Sequence, residues 1–293
     1  EGVMTLGEPI VSIGTFDLDI VSRNFVTIDF SAMRNLTTIN DLAFANLTNL
    51  ENLLGLSQEI SIGYGAFGGA NVRVIDFATD GKYVFDNDGN MYVYENGTYK
   101  LHTYLATNTT QNQTLAIDEN VEEILPNAFY NTLFASLIVK NVTLTNGALT
   151  GINNLSAITL DKVYKLIDLF GTNVPVSKVI LDCNVTSIPD ETFAGCKNLT
   201  KVIISSGEVV QIGNNAFKDC EKMTFGTEKG EINLSKIEAI GDYAFYNNKN
   251  LPEYISLDKV TQIGDRAFVG SNLKGISLSR SIESLGRDAS GEY

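Results

Sequence analysis

Residues 211–220 read "QIGNNAFKDC", and this decapeptide decides the fold because it recurs. It returns as "AIGDYAFYNN" at 239–248 and as "QIGDRAFVGS" at 262–271, with Ile-Gly and Ala-Phe kept and the polar letters changed. A catalytic motif fixes polar atoms and occurs once, whereas a packing motif fixes apolar volume and can recur. The recurrence therefore indicates a structural unit that packs against copies of itself.

The Phe of the Ala-Phe pair, or its substitute, marks the repeat along the chain. Seven of the eight successive intervals are 20 to 28 residues long. The eighth, of 62 residues, fits one repeat plus an insertion of about forty residues. The chain is therefore an array of repeats. The marked positions are Phe44, Phe67, Phe129, Leu149, Phe170, Phe193, Phe217, Phe245 and Phe268.

Each repeat has three parts. A stretch such as "VSKVIL" (176–181) or "LTKVII" (199–204) has the period-two alternation of a half-buried strand. A turn then leads to Ile-Gly, where glycine suits a bend at which backbone approaches backbone. The Ala-Phe stretch turns back toward the next strand, and its Phe fills the space between layers. A unit of about 23 residues has no room for a full helix, so we expect one short helical or 3₁₀ turn.

Such a unit cannot bury its apolar face alone, but stacked units bury each Phe and Ile against the same residue of the next coil. The sequence therefore predicts an α/β, mainly β solenoid with parallel strands on one face. We expect an N-terminal cap at 1–24, because "VSIGTFDLDI" (11–20) is strand-like but off the repeat, and a single solenoid at 25–293. At the other end Ser290 stands where Phe belongs, which predicts a polar closing turn or the end of the register.

The pattern L-x-x-I-x-L…V-x-x-I-G-x-x-A-F-x-x-C resembles the BspA-like class of leucine-rich repeats. The stretches "VILDCNVTSIPDETFAGCKNLTKVII" (179–204) and "ISLDKVTQIGDRAFVGSNLKGISL" (255–278) carry the resemblance, which spans about residues 25–286 and is weakest near 130–175. It implies a right-handed, leucine-rich-repeat-like array with short 3₁₀ or helical turns. It also implies a bacterial cell-surface or secreted protein that adheres to host proteins or to other cells.

The insertion at about 78–113 contains "KYVFDNDGNMYVYENGTYKL" (82–101). This stretch predicts two aromatic strands joined by the turn 86–90, and it resembles the small hairpin that interrupts arrays of this family. We expect the hairpin to protrude. Aromatic residues dominate interface hot spots, so its tyrosines are candidate binding anchors. They are Tyr92, Tyr94 and Tyr99.

The exposed row of the parallel sheet is the other candidate binding surface, since this face of a solenoid is normally its extended binding surface. Ile180 and Ile203 are adjacent apolar residues in that row and form a candidate contact patch. The alternative is that β-branched residues simply suit strands. The predicted outward positions are Thr143, Thr159, Ile180, Ile203, Asn233, Ser256 and Ser277.

Charge and hydropathy exclude several partners. The 21 Lys and Arg against 35 Asp and Glu give a net charge of −14, which disfavours binding to nucleic acid or to anionic lipid. No apolar run approaches the roughly 20 residues of a membrane-spanning helix. The chain begins at Glu1 and shows no basic-then-apolar leader, so we expect a mature or trimmed sequence from which any targeting signal has been removed.

The residues of common catalytic devices are scarce. Ser-His-Asp and Cys-His arrangements would both have to use the one histidine, His102, and no Cys lies near it in sequence. No group of residues has the spacing of a zinc site. We therefore predict no catalytic residue, no metal site and no cofactor. Cys196 and Cys220 both follow a repeat Phe by three residues; we interpret them as buried thiols, with a disulfide as the alternative.

Two functions remain open for such an array. The first is a non-enzymatic cell-surface or secreted protein that binds a macromolecule, such as a host or cell-surface protein or a glycan, through the sheet face or the hairpin. The second is a structural stalk that presents another domain. A glycan-active enzyme is a remote third reading. The extracellular location follows from the family resemblance.

Overall fold

A computed structural model describes residues 2–5, 10–14, 25–75, 81–105, 112–226 and 228–289. Their fold is a mainly β, parallel solenoid of about 11 turns with almost no helix, as the repeat predicts.

The chain divides into two compact units. Unit 1 comprises 1–113, 117–135 and 141–154, and unit 2 comprises 114–116, 136–140 and 155–293. The division into a cap at 1–24 and a single solenoid at 25–293 stays a prediction.

Unit 1 contains two rows of parallel strands, and neighbours in each row come from successive coils. The long-strand row has the order β1-β3-β5-β7, and the short-strand row has the order β2-β4-β6. Ile39 pairs with Ile62, as expected if each Ile-Gly lies in register with the next. The strands are β1 (Gly2–Thr5), β2 (Ser12–Ile13), β3 (Phe25–Asp29), β4 (Thr38–Ile39), β5 (Asn52–Leu54), β6 (Ser61–Ile62) and β7 (Val74–Ile75).

The first coil departs from its prediction. Ser12 and Ile13 pair with Thr38 and Ile39, so this stretch is in the repeat register rather than off it. A lone Ile-Gly without a following Ala-Phe concealed the register in the sequence. The rest of the expected cap strand, residues 15–20, lies outside the described residues.

The described part of the insertion contains the two predicted strands, joined by the turn 86–90, and a third strand after them, and it packs against the core instead of protruding. β8, β9 and β10 form an antiparallel meander, and β10 then pairs in parallel with β12 of the next coil. Tyr83, Met91 and Val93 are buried in the hydrophobic core of unit 1. The predicted hairpin is confirmed, but its protrusion is wrong, because its inward side chains join the core and β10 pairs with β12. The strands are β8 (Tyr83–Phe85), β9 (Met91–Glu95), β10 (Thr98–Thr103), β12 (Val121–Ile124) and β14 (Thr143–Leu144).

Unit 2 repeats the same arrangement. Its long-strand row has the order β11-β13-β15-β16-β18, its short-strand row has the order β17-β19-β20-β22-β24, and β21 pairs with β23. The strands are β11 (Thr114–Ala116), β13 (Ser136–Val139), β15 (Ala157–Leu160), β16 (Lys178–Asn184), β17 (Ser187–Ile188), β18 (Lys201–Ser206), β19 (Gln211–Ile212), β20 (Ala239–Ile240), β21 (Tyr254–Leu257), β22 (Gln262–Ile263), β23 (Gly275–Leu278) and β24 (Ser284–Leu285).

The repeat register continues into the last described coil. Gln262 pairs with Ser284, and Ile263 pairs with Leu285. Leu285 is 58% exposed, whereas Ile263 is 2% exposed, because no described coil covers Leu285. The expected polar closing turn therefore carries an exposed leucine. Ser290 lies outside the described residues.

The Ala-Phe segments are hydrogen-bonded turns. In the segment at 211–220, Asn215 (φ 53°) and Asp219 (φ 60°) have left-handed backbone, which prevents a helix from continuing. The N–H groups of Asn215, Phe217 and Asp219 donate to carbonyls of the next coil at 2.8–2.9 Å. The expected short helical turn occurs at two places among the described residues, in α1 (Leu166–Phe170) and in the 3₁₀ turn Leu234–Lys236.

The repeat Phe side chains form a stacked ladder in unit 2. Phe193, Phe217, Phe245 and Phe268 are buried, and successive ring centroids lie 5.2, 5.7 and 5.3 Å apart. The interplanar angles of 23°, 1° and 5° show near-parallel rings. The ladder confirms that the repeated Phe packs between coils.

The glycine of Ile-Gly lies against the backbone of the preceding coil. A Cβ on Gly241 would lie 2.6 Å from the backbone nitrogen of Asn214, and one on Gly213 would lie 2.6 Å from that of Asp190. This confirms the predicted close approach. The same contact lets the Asn214 carboxamide oxygen accept from the Asp242 N–H at 2.8 Å, which links successive coils.

Phe193→Ala should lower the free energy of unfolding by roughly 3–5 kcal/mol, because it leaves a cavity at the end of the ring stack. Chemical denaturation measures the change. Tyr254→Ala is the control, since Tyr254 is 72% exposed, and it should change the free energy by less than about 1 kcal/mol. If Phe193→Ala unfolds like the wild type, the ladder does not stabilise the coils.

Candidate functional site

The outward positions of the long-strand row in unit 2 form a continuous line. Ile138 pairs with Thr159, Thr159 with Ile180, and Ile180 with Ile203. All four side chains are half-buried, while the residues that precede and follow each of them are buried. We call this line the sheet-face strip: Ile138, Thr159, Ile180 and Ile203.

Four predicted members of the row lie elsewhere. Thr143 is in β14 of unit 1, where it pairs with Glu123. Asn233 lies outside the strands and caps the 3₁₀ turn, where its Oδ1 accepts from the Ser235 N–H at 3.0 Å. Ser256 pairs with Ser277 in the separate β21–β23 pair.

Ile138 was missed in the sequence, although "SLIV" at 136–139 has the same alternation as "AITL" at 157–160. The repeat is weakest near 130–175, where Leu149 replaces Phe, so the sequence pattern does not single out the strand at 136–139. Backbone pairing of β13 with β15 places Ile138 in the row.

Charged side chains flank the sheet-face strip. Lys201 lies two residues before Ile203 and pairs with Glu231 at 2.5 Å, and this ion pair holds the pKa of the Glu231 carboxyl below its usual value. Asp182 lies two residues after Ile180 and pairs with Lys140 at 2.6 Å. The strip thus has an apolar centre and a charged border. Part of Ile203 is covered, since a Cβ on Gly230 would lie 3.1 Å from its Cγ2.

The three predicted tyrosines of the insertion lie together. Tyr94 and Tyr99 are paired across β9 and β10, and their ring centroids are 4.9 Å apart. The Tyr92 ring lies 6.3 Å from that of Tyr99 at an interplanar angle of 84°. Tyr94 and Tyr99 are 44% and 36% exposed. We call these residues the tyrosine cluster.

A cavity of about 270 Å³ opens beside the tyrosine cluster, and its wall combines aromatic and acidic side chains. The Tyr92 hydroxyl donates to Asp86 Oδ2 at 2.9 Å. Burial, and then the nearby Asp86 and Asp118 carboxylates, raise the pKa of Tyr92, so its phenol stays protonated. The parallel pairing of β10 with β12 brings residues 118–121 to the hairpin.

Comparison with known families shows which protein family the chain belongs to. The model of the BspA type leucine rich repeat region matches residues 11–94, 81–174 and 168–290, with 6 copies. The chain belongs to this family. A comparison with curated proteins found no match.

Solved structures of leucine-rich repeat proteins are similar to this BspA-type chain. A leucine-rich repeat protein from Eubacterium ventriosum ATCC 27560 has 20% sequence identity and a TM-score of 0.54, over 92% of this chain and 83% of that chain. One from Bacteroides ovatus ATCC 8483 has 15% identity and a TM-score of 0.37, over 97% of this chain and 74% of that chain. At 20% identity the first similarity shows the fold alone.

The histidine of this BspA-type chain has a structural role. His102 is 1% exposed; its Nε2 donates to the Ile62 carbonyl at 3.1 Å, and its Nδ1 accepts from the Thr103 hydroxyl at 2.9 Å. The Tyr83 hydroxyl accepts from the Ile62 N–H at 2.8 Å. The insertion thus satisfies both backbone groups of Ile62 at the edge of the short-strand row. Burial lowers the pKa of His102 to about 4.

The buried cysteines occupy one position of the BspA-type repeat, and the side chain at this position can donate a hydrogen bond to the preceding coil. Cys196 and Cys220 are free thiols, which confirms the buried-thiol interpretation. The Cys220 Sγ donates to the Phe193 carbonyl at 2.9 Å, and Asn248 Nδ2 donates to the Phe217 carbonyl at 2.5 Å from the same repeat position. Burial raises the pKa of Cys196 to about 12, so this thiol stays protonated.

The part of the chain that the structure describes contains neither a candidate metal site nor a candidate membrane-spanning helix. No three His, Cys, Asp or Glu side chains are grouped so that they could hold a metal ion. No helix there is long and apolar enough to cross a membrane.

The pH dependence of stability should reveal the neutral His102. As the pH falls below 6.5, the His102 imidazole becomes protonated in the unfolded state. In the folded state it stays neutral until the pH approaches its pKa of about 4. The free energy of unfolding should therefore fall through this window, with about 2 kcal/mol lost near pH 5. His102→Gln keeps a donor and an acceptor but does not titrate, so denaturant unfolding of this variant should lack that loss. An equal loss in both proteins would contradict the assignment.

Proposed function

We propose that this chain is a non-enzymatic, extracellular or cell-surface protein of the adhesion type, and that it captures another protein through the sheet-face strip. The observation that carries the proposal is the half-exposed line of Ile138, Ile180 and Ile203 with charged side chains on its borders. Protein interfaces commonly combine an apolar centre with a polar rim. Family membership supports the surface location.

The tyrosine cluster is the second candidate contact surface. Exposed tyrosines supply large amphipathic contact areas, and they are enriched among interface hot spots. Its test needs point substitutions, because deletion of 82–101 would also remove the buried Tyr83, Met91 and Val93 and would unfold part of unit 1. Tyr94→Ser removes one exposed ring of the cluster and leaves the buried Tyr83, Met91 and Val93 in place.

The stalk remains the alternative function. A stalk needs only the stacked coils, and it makes no demand on the outward positions of the strands. Capture that depends on Ile180 would favour binding, whereas a chain that captures no extracellular protein or glycan would favour the stalk.

Ile180→Asp should weaken capture of a bound protein by roughly tenfold or more, because a carboxylate would be desolvated at the centre of the contact. The measurement is surface plasmon resonance against an array of purified extracellular matrix proteins, with a glycan array beside it. Ser187→Asp is the matched control, since Ser187 is exposed on the short-strand row of unit 2. Both variants should melt close to the wild type. Equal binding by wild type, Ile180→Asp and Tyr94→Ser would reject both surfaces.

A further inference from the structure

The cavity beside the tyrosine cluster has a chemistry that neither the fold nor the packing of unit 1 requires. Its lining includes three aromatic rings, Phe85, Tyr92 and Tyr99, and two carboxylates, Asp86 and Asp118. The Tyr92 and Tyr99 rings lie at 84° to each other, with their centroids 6.3 Å apart. Val84 pairs with Tyr92 and extends the same face of the meander.

Both carboxylates are held in place by neutral donors. Asp86 accepts from the Asn90 N–H at 2.8 Å, from Asn90 Nδ2 at 2.9 Å and from the Tyr92 hydroxyl. Asp118 Oδ1 accepts from the Asn120 N–H at 2.8 Å and from Asn120 Nδ2 at 2.7 Å. Among the described residues no Lys, Arg or His forms an ion pair with either carboxylate. Two fixed negative charges therefore face the cavity without a counter-charge.

Lys100, a cation of the same meander, is engaged elsewhere. Lys100 pairs with Glu123 at 3.0 Å and with Glu95 at 3.8 Å, and it does not line this cavity. Lys100 is paired across the sheet with Val93, on the face opposite to Tyr94 and Tyr99. A cationic ligand can therefore supply the counter-charge for the Asp86 and Asp118 carboxylates.

Aromatic rings and carboxylates together favour an organic cation. The face of an aromatic ring attracts a guanidinium or ammonium group, and nearby carboxylates add charge-assisted hydrogen bonds. A neutral sugar needs donors as well as acceptors, but here the Asn120 amide and the Tyr92 hydroxyl already donate to Asp118 and Asp86. The net charge of −14 would also attract a basic partner from a distance.

We propose that this cavity binds a basic side chain, arginine or lysine, of a protein partner. The proposal rests on the proposed function, because it assumes that the captured macromolecule is a protein. Tyr92 and Tyr99 would contact the cationic group, while Asp118 would neutralise its charge. The exposed Tyr94 would extend the contact to residues beside the basic side chain.

The direct test uses small probes and the intact chain. N-acetyl-arginine amide and its neutral isostere N-acetyl-citrulline amide are titrated in turn, and backbone amide shifts are followed by NMR. The arginine probe should shift the amides of Tyr92, Tyr99 and Asn120 with a dissociation constant in the millimolar range, and the citrulline probe should bind roughly tenfold more weakly or not at all. Added salt should weaken the arginine probe.

Matched variants separate the cavity from the general negative charge of the protein. Asp118→Asn should weaken binding of the arginine probe roughly fivefold, which is about 1 kcal/mol. Glu59→Gln removes the same charge from an exposed position of unit 1 that does not line the cavity, so it should leave binding unchanged. Tyr99→Leu should weaken binding while the melting curve stays close to that of the wild type.

Three results would overturn the proposal: equal binding of the arginine and citrulline probes, shifts caused by methyl glucoside in place of arginine, or no shift at saturating probe. Failure here is distinguishable from failure of the proposed function. Capture that depends on Ile180 would survive without the cavity, and the arginine probe would still bind if the sheet-face strip captured nothing.

Discussion

The backbones of successive coils come into contact at the Ile-Gly step, and the rest of the array depends on that approach. At Gly241 even a Cβ atom would overlap the backbone of residues 213 and 214. Because the coils are this close, the Asn214 side chain reaches the Asp242 N–H, and the Asp242 carboxylate reaches the Asp265 N–H at 2.7 Å. The same spacing brings the repeat Phe rings within 5.2–5.7 Å of one another. The distance between stacked coils therefore determines both the hydrogen bonds between coils and the packing of the core.

The candidate binding surfaces follow from what this stacking leaves free. Each coil uses its inward residues for the core, so only the outward strand positions can vary without loss of packing, and Ile138 and Ile180 occupy such positions. The insertion creates a different surface because its strands must satisfy the edge of a coil. His102 and Tyr83 bind the backbone of Ile62, and this anchoring presents the tyrosine cluster on a supported sheet.

The sequence predicted what recurs and failed where the register is interrupted. The ladder of Phe193 and Phe217 and the close approach at Gly213 followed from one repeated decapeptide, because each copy meets the same neighbours. Thr143 belongs to the other row, and the strand at 136–139 was missed because the repeat is weakest near 130–175, where Leu149 replaces Phe. The cavity could not be predicted, because parallel pairing of β10 with β12 joins Tyr99 to Asp118 without any periodic signal.

A comparison of two glycine variants tests the close approach most directly. Gly241→Ala places a methyl group against Asn214 and should lower the free energy of unfolding by roughly 1–3 kcal/mol. Gly14→Ala changes the same motif position in the first coil, where a Cβ would meet nothing within 4 Å, and should be close to neutral or slightly stabilising. Equal free energies of unfolding for the two variants, measured by chemical denaturation, would contradict the claim that backbone contact between coils sets the array.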